Sequence, residues 1–142
     1  MFKFERLEVW KKSIAIYEKI CELSKVIDQR EQFSLREQIR RAALSISTNI
    51  AEGTGREGNK ESKYFFNIAK GSLYEVLSLL YVMKNRGYLK TPDYESLYQQ
   101  CDEIARMLSG LLNKQSLCLN PLSLSATPNV LTPIFRLGLL EP

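Results

Sequence analysis

Phe66, Ala69, Leu73, Val76, Leu80 and Met83 step along the chain by 3, 4, 3, 4 and 3 residues without a fault. A helix turns once every 3.6 residues or so, and this spacing gathers all six side chains on one stripe. Tyr94, Leu97, Cys101, Ile104, Leu108 and Leu111 repeat the same steps. Ile39, Ala43, Ile46 and Ile50 form a third stripe. Leu7, Trp10, Ile14, Tyr17 and Cys21 form a fourth, with Ile16, Ile20, Leu23 and Ile27 beside it. Four amphipathic helices with broad apolar faces have to bury them against one another. The fold class this predicts is all-α: an antiparallel up-down-up-down four-helix bundle.

Local signals place the boundaries. The first helix is expected from Leu7 to Ile27, and Asp28 to Gln32 read as a loop. Ser34 and Glu37 have capping-box spacing at the start of the second helix. Gly53 reads as its left-handed stop, and Gly55 and Gly58 loosen the loop that follows. The third helix runs from Asn59 to Arg86 and stops at Gly87. Thr91 and Pro92 suit a cap and a first-turn position, opening the fourth helix. The short connections force consecutive helices to run antiparallel.

Residues 1–114 thus read as one bundle domain, and 115–142 as an irregular C-terminal tail rich in proline, leucine and serine. The tail holds four of the five prolines and only two charged residues, Arg136 and Glu141. Proline at that density excludes a long helix. Two readings stand: a flexible extension, or an extended segment docked on an apolar groove.

The chemistry the chain lacks is as informative as its pattern. It has no histidine among its 142 residues, which removes the commonest general base and metal ligand. Cys21, Cys101 and Cys118 form no CxxC pair, so neither a zinc site nor any other cofactor is expected. An odd cysteine count without a signal peptide points to a reduced, cytoplasmic protein. No apolar run is long enough to span a bilayer. Without a nucleophile–base pair, an enzyme is not expected.

The segment from Arg40 to Glu75 carries the remaining signal. Ala42, Ala43, Ser45 and Ser47 make the second helix slim, and Gly71 and Ser72 thin the third. Close packing between these two helices explains this, as does the approach of a neighbouring subunit. Glu52 is expected to pair with Arg56 or Lys60, and Glu75 with Arg40 or Arg41.

The net charge of +4 permits an anionic partner. Arg36, Arg40 and Arg41 lie on the second helix. Arg56, Lys60 and Lys63 cluster at the following turn, and Lys70 lies two turns beyond Lys63. These seven are the candidate nucleic-acid contacts, offered to a phosphate backbone rather than to bases. Glu37, Glu57 and Glu61 are interleaved, so a solvated mixed-charge face is the competing reading. Repetition of the patch around a ring of subunits multiplies weak contacts.

The stretches LEVWKKSIAIYEKI, LREQIRRAALSISTNIAEGTGR and KESKYFFNIAKGSLYE resemble the four-helix-bundle family of 23S rRNA intervening-sequence proteins. The resemblance covers roughly residues 4 to 114, and its most specific part runs from Arg40 to Arg56. It implies a homopentamer with no enzymatic role. It also implies kinship with the accessory variability determinant of diversity-generating retroelements, a basic pentamer that binds nucleic acid and a reverse transcriptase. RNA, DNA and a reverse transcriptase are therefore the partners the resemblance suggests, a membrane is not, and an adaptor role is the alternative function. Arg40, Arg41 and Arg56 match basic motif positions; Asn49, Glu52, Gly53, Gly71, Ser72 and Glu75 match structural ones. Ser34 and Ser47 stand where members often carry glycine or proline.

Overall fold

The computed structural model describes residues 1–27 and 33–117. It contains four α-helices: α1 (Glu8–Leu23), α2 (Phe33–Gly55), α3 (Asn59–Asn85) and α4 (Thr91–Leu117). A 3-10 turn over Lys3–Arg6 precedes α1, and another over Ser24–Val26 follows it. Each helix packs on two neighbours in the order α1, α2, α3, α4 and back to α1. This closed order is the expected up-down-up-down bundle. The expected loop at 28–32 and nearly all of the expected tail lie outside the described residues; α4 itself continues to Leu117.

The stripes of α2 and α3 fall where their spacing put them. Ile39, Ala43, Ile46 and Ile50 are fully buried, as are Ala69, Leu73 and Val76. In α4 the middle of the stripe, Leu97 to Leu108, is buried, while Tyr94 and Leu111 at its ends are half-exposed. In α1 the expected leading stripe is only the flank. Leu7, Trp10, Ile14, Tyr17 and Cys21 are half-buried, and the core line is Val9, Ser13, Ile16, Ile20, Ser24 and Ile27. Ile16, Ile20 and Ile27 belong to the expected second stripe, and the two serines are its unexpected members. They are tolerated inside because each hydroxyl donates to a carbonyl three residues back: Ser13 to Trp10 at 2.6 Å, Ser24 to Cys21 at 3.1 Å.

Helix ends differ in detail. The α-helical part of α1 stops at Leu23 rather than Ile27. α2 begins at Phe33, so Ser34 is a first-turn residue rather than a cap. The Tyr94 amide donates to the Lys90 carbonyl at 3.0 Å, which makes Lys90 the cap of α4 and Pro92 its second helical residue. Gly87 does stop α3. Its φ of +77° turns the chain so that the Tyr88 N–H reaches the Met83 carbonyl at 2.9 Å, while its own amide donates to that of Lys84 at 3.0 Å.

Gly53 has a different job from the one its position suggested. α2 runs through it to Gly55, and Gly87 is the one glycine of positive φ among the described residues. A Cβ on Gly53 would lie 2.8 Å from Phe66 Cε1 and 3.1 Å from Phe65 Cβ. Only Arg56, Glu57 and Gly58 separate α2 from α3. So tight a hairpin drives the two helices together at its closed end, and glycine is the residue that fits there.

Candidate functional site

The seven basic candidates do not form one patch. A helix rises about 1.5 Å per residue, which puts Arg40 and Arg56 roughly 24 Å apart along α2. Arg36 is mostly buried, and Arg40 faces the seam with α1. The Arg36 side chain is 13% exposed, with Nε 3.9 Å from a Glu37 oxygen. Arg40 Nε donates to Ser24 Oγ at 2.9 Å, and Nη2 donates to the Cys21 carbonyl at 3.3 Å. That carbonyl belongs to the last turn of α1, where helix oxygens lack intrahelical partners. Arg40 is thus a tie between helices. Arg41, one residue on, is exposed and borders a groove with Tyr17, Glu37, Arg40 and Leu44.

At the other end, Arg56 pairs with Glu52 at 2.6 Å and lies 4.8 Å from the centre of the Phe65 ring. Of the two partners expected for Glu52, the structure selects Arg56. Lys60 is exposed and Lys63 half-buried. Lys70 reaches across to α4, donating to Ser109 Oγ at 3.3 Å. Glu75 takes neither Arg40 nor Arg41; it accepts a hydrogen bond from Gln38 Nε2.

The small residues divide into two sets. Ser72 and Ser45 share a 2.8 Å hydrogen bond across the α2–α3 seam, and Asn49 Nδ2 donates to Ser45 Oγ at 3.0 Å. With Gly53, these account for the slim face of α2 by packing inside the chain. Gly71 does not fit that account. It is exposed in the middle of α3, and a Cβ there would meet nothing within 4 Å.

Gly71 lies on a line that the search for buried stripes passed over. Tyr64, Asn67, Gly71, Tyr74, Ser78, Tyr81 and Asn85 also step by 3 and 4 residues, and all are exposed. The three tyrosines are more than half exposed, at 62%, 57% and 54%. Tyr81 continues the line onto α4 through an edge contact with Tyr94 at 6.5 Å, and Tyr94 meets Tyr98 at 6.1 Å. The spacing was in the sequence, but tyrosine is a common core residue and gave no sign of facing outward.

Burial pushes the Cys101 thiol from 9.0 to about 12. The neighbouring Cys21 thiol, hydrogen-bonded to Tyr17, pushes that phenol up. Among the described residues, no group of three or more Cys, Asp or Glu side chains is placed to hold a metal ion. No described helix is long and apolar enough to cross a membrane.

The family model described as 23S rRNA-intervening sequence protein matches residues 5–110, which take in α1, α2, α3 and most of α4. The chain belongs to this family. A crystal structure from Bacteroides thetaiotaomicron VPI-5482, described as a protein of unknown function from the S23 ribosomal protein family, shares 27% identity. The match covers 73% of this chain and 97% of that one, with a TM-score of 0.67. No protein of curated function matches.

Proposed function

We propose that this chain is a non-enzymatic assembly module, whose copies join through the outward face of α3 and present basic side chains to a nucleic-acid backbone. One observation carries this reading: Gly71 amid Tyr64, Tyr74 and Tyr81 on an exposed stripe. Glycine inside a helix costs about 1 kcal/mol relative to alanine. Nothing among the described residues requires it at this position, whereas a closely approaching second helix would. Tyrosines are also favoured at interfaces, having an apolar body and a polar tip. A pentamer is the size that resemblance to the family suggests.

The anionic partner is a nucleic acid, and RNA is the first to test, since the family is described by 23S rRNA. Arg41 within α2, with Arg56 and Lys60 beyond its C-terminal end, are the side chains best exposed to it. Three cations on one bundle bind phosphate weakly, and a ring repeats them.

Native mass spectrometry of the natural chain and of Gly71→Arg tests the assembly. The natural chain is expected as an oligomer, and the variant as a folded monomer with weakened RNA binding. A natural chain that is monomeric at micromolar concentration ends this reading. The tyrosine face would then fit a different protein partner, which is the adaptor role.

A further inference from the structure

Three aromatic rings form a series at the end of the bundle where α2 closes. The 3-10 turn over Lys3–Arg6 packs on α2. Phe4 meets the Trp10 ring at 4.9 Å, tilted by 59°. Phe2 lies almost parallel to Phe4, at 7°, with 6.0 Å between ring centres. The series ends at Phe2, which is 73% exposed. The turn holds Phe2 in place. Its amide donates to Glu5 Oε2 at 2.6 Å, and the Glu5 amide donates to its carbonyl at 3.2 Å.

A groove of about 310 Å³ opens between this turn and α2, lined by Phe2, Lys3, Phe4, Ala51, Thr54 and Gly55. That volume suits a small flat group. Ala51 and Gly55 keep the α2 wall low, and a Cβ on Gly55 would meet nothing within 4 Å. Each side also carries a cation. Lys3 is exposed and joins no ion pair among the described residues. Arg56 follows Gly55 directly and is exposed. It binds Glu52 through Nη2, and its guanidinium has further N–H donors.

We propose that this groove takes one unpaired base of a single-stranded nucleic acid, packed on the Phe2–Phe4 pair, with the flanking phosphates on Lys3 and Arg56. Rings beside cations suit this occupant, because every base has a flat face and every linkage a negative charge. A base inside a duplex is stacked on its neighbours and cannot reach the rings. An apolar peptide would use the rings and leave the cations idle. The inference rests on the nucleic-acid reading above and narrows it to single strands. Phe2, Lys3 and Phe4 precede the residues that the family model matches, so this contact belongs to the chain's own N-terminal turn.

Fluorescence anisotropy of a labelled short oligouridine, alone and paired with oligoadenosine, tests the proposal on the full chain. The single strand is expected to bind more tightly than the duplex. Phe2→Ala and Phe2→Leu are each expected to weaken single-strand binding about tenfold and leave duplex binding unchanged, while Phe2→Trp keeps the natural affinity. All three variants are expected to match the natural chain in circular dichroism, since Phe2 is so exposed. Unchanged single-strand affinity in Phe2→Ala or Phe2→Leu overturns the proposal. If Arg41→Glu still weakens binding in that case, the broader nucleic-acid reading stands. A natural chain that binds neither probe overturns both. Photocrosslinking with 5-iodouridine in the same oligomer is expected to label Phe2 or Phe4, and labels confined to other residues overturn the proposal. A native mass that falls on Phe2→Ala also overturns it, and assigns the groove to a second copy.

Discussion

Arg40 and Arg41 are neighbours in the chain with opposite orientations. Arg40 turns inward to Ser24 Oγ and the Cys21 carbonyl, while Arg41 stays exposed. A hydrogen bond to a charged donor is worth about 1.5–3 kcal/mol. Arg40→Ala is therefore expected to destabilise the bundle by roughly 2 kcal/mol, read from urea unfolding. Arg41→Glu is expected to leave stability within about 0.5 kcal/mol and to weaken RNA binding at low salt. Equal RNA affinity for Arg41→Glu and the natural chain would remove Arg41 from the interface. Charge reversal at Arg40 could not serve as that test, because it disturbs the fold.

Cys101 gives a prediction with a definite sign. Its thiol is held protonated to about pH 12 in the folded chain, against 9.0 for an ordinary thiol. Its contribution is complete below pH 9.0. Between 9.0 and about 12 only the unfolded chain releases the proton, so stability falls as pH rises. The slope is about 1.4 kcal/mol per pH unit. Unfolding of the natural chain and of Cys101→Ala at pH 8, 9 and 10 should show that extra slope in the natural chain alone.

Among the elements, the α2–α3 hairpin is the most tightly determined. Gly53→Ala forces a Cβ to within 3 Å of the Phe66 ring and near Phe65. Overpacking of this kind costs about 1–3 kcal/mol, and Gly53→Ala is expected to lower the urea midpoint accordingly. Gly71→Ala meets open space. In the monomer it is expected to add up to about 1 kcal/mol of helix propensity. The sequence shows both glycines inside helical patterns and cannot tell them apart. Whether a ring from the next helix lies over the Cα is a matter of tertiary approach, so Gly53 read as a stop although it is a contact. In α1 the second stripe was legible without its serines, for a similar reason. Ser13 and Ser24 look polar in a sequence, and only their bonds to carbonyls three residues back make them core residues. The stripes of α2 and α3 were legible because aliphatic residues occupy nearly every buried step. Glu75 was not, since its partner Gln38 is reached only once two helices are docked in register.

For the whole molecule, charge placement matters more than charge total. A net charge of +4 says little when Arg36 is mostly buried, Arg40 is tied to the end of α1 and Arg56 is held by Glu52. Binding to RNA should fall steeply with salt if an assembled ring presents many copies of Arg41, Arg56 and Lys60. The slope of log affinity against log salt counts the phosphates engaged. Gly71→Arg is expected to reduce that slope, although it adds a positive charge to each chain. A slope unchanged by dissociation would mean that one bundle binds alone.

Gly71 has a practical corollary. Any campaign that ranks variants by the melting temperature of a lone polypeptide will favour alanine there, since the rod is stiffened and no neighbour objects. Such a ranking optimises solitude. If the tyrosine face is where copies meet, the winning variant will be sturdier in the test tube and poorer company for its own kind.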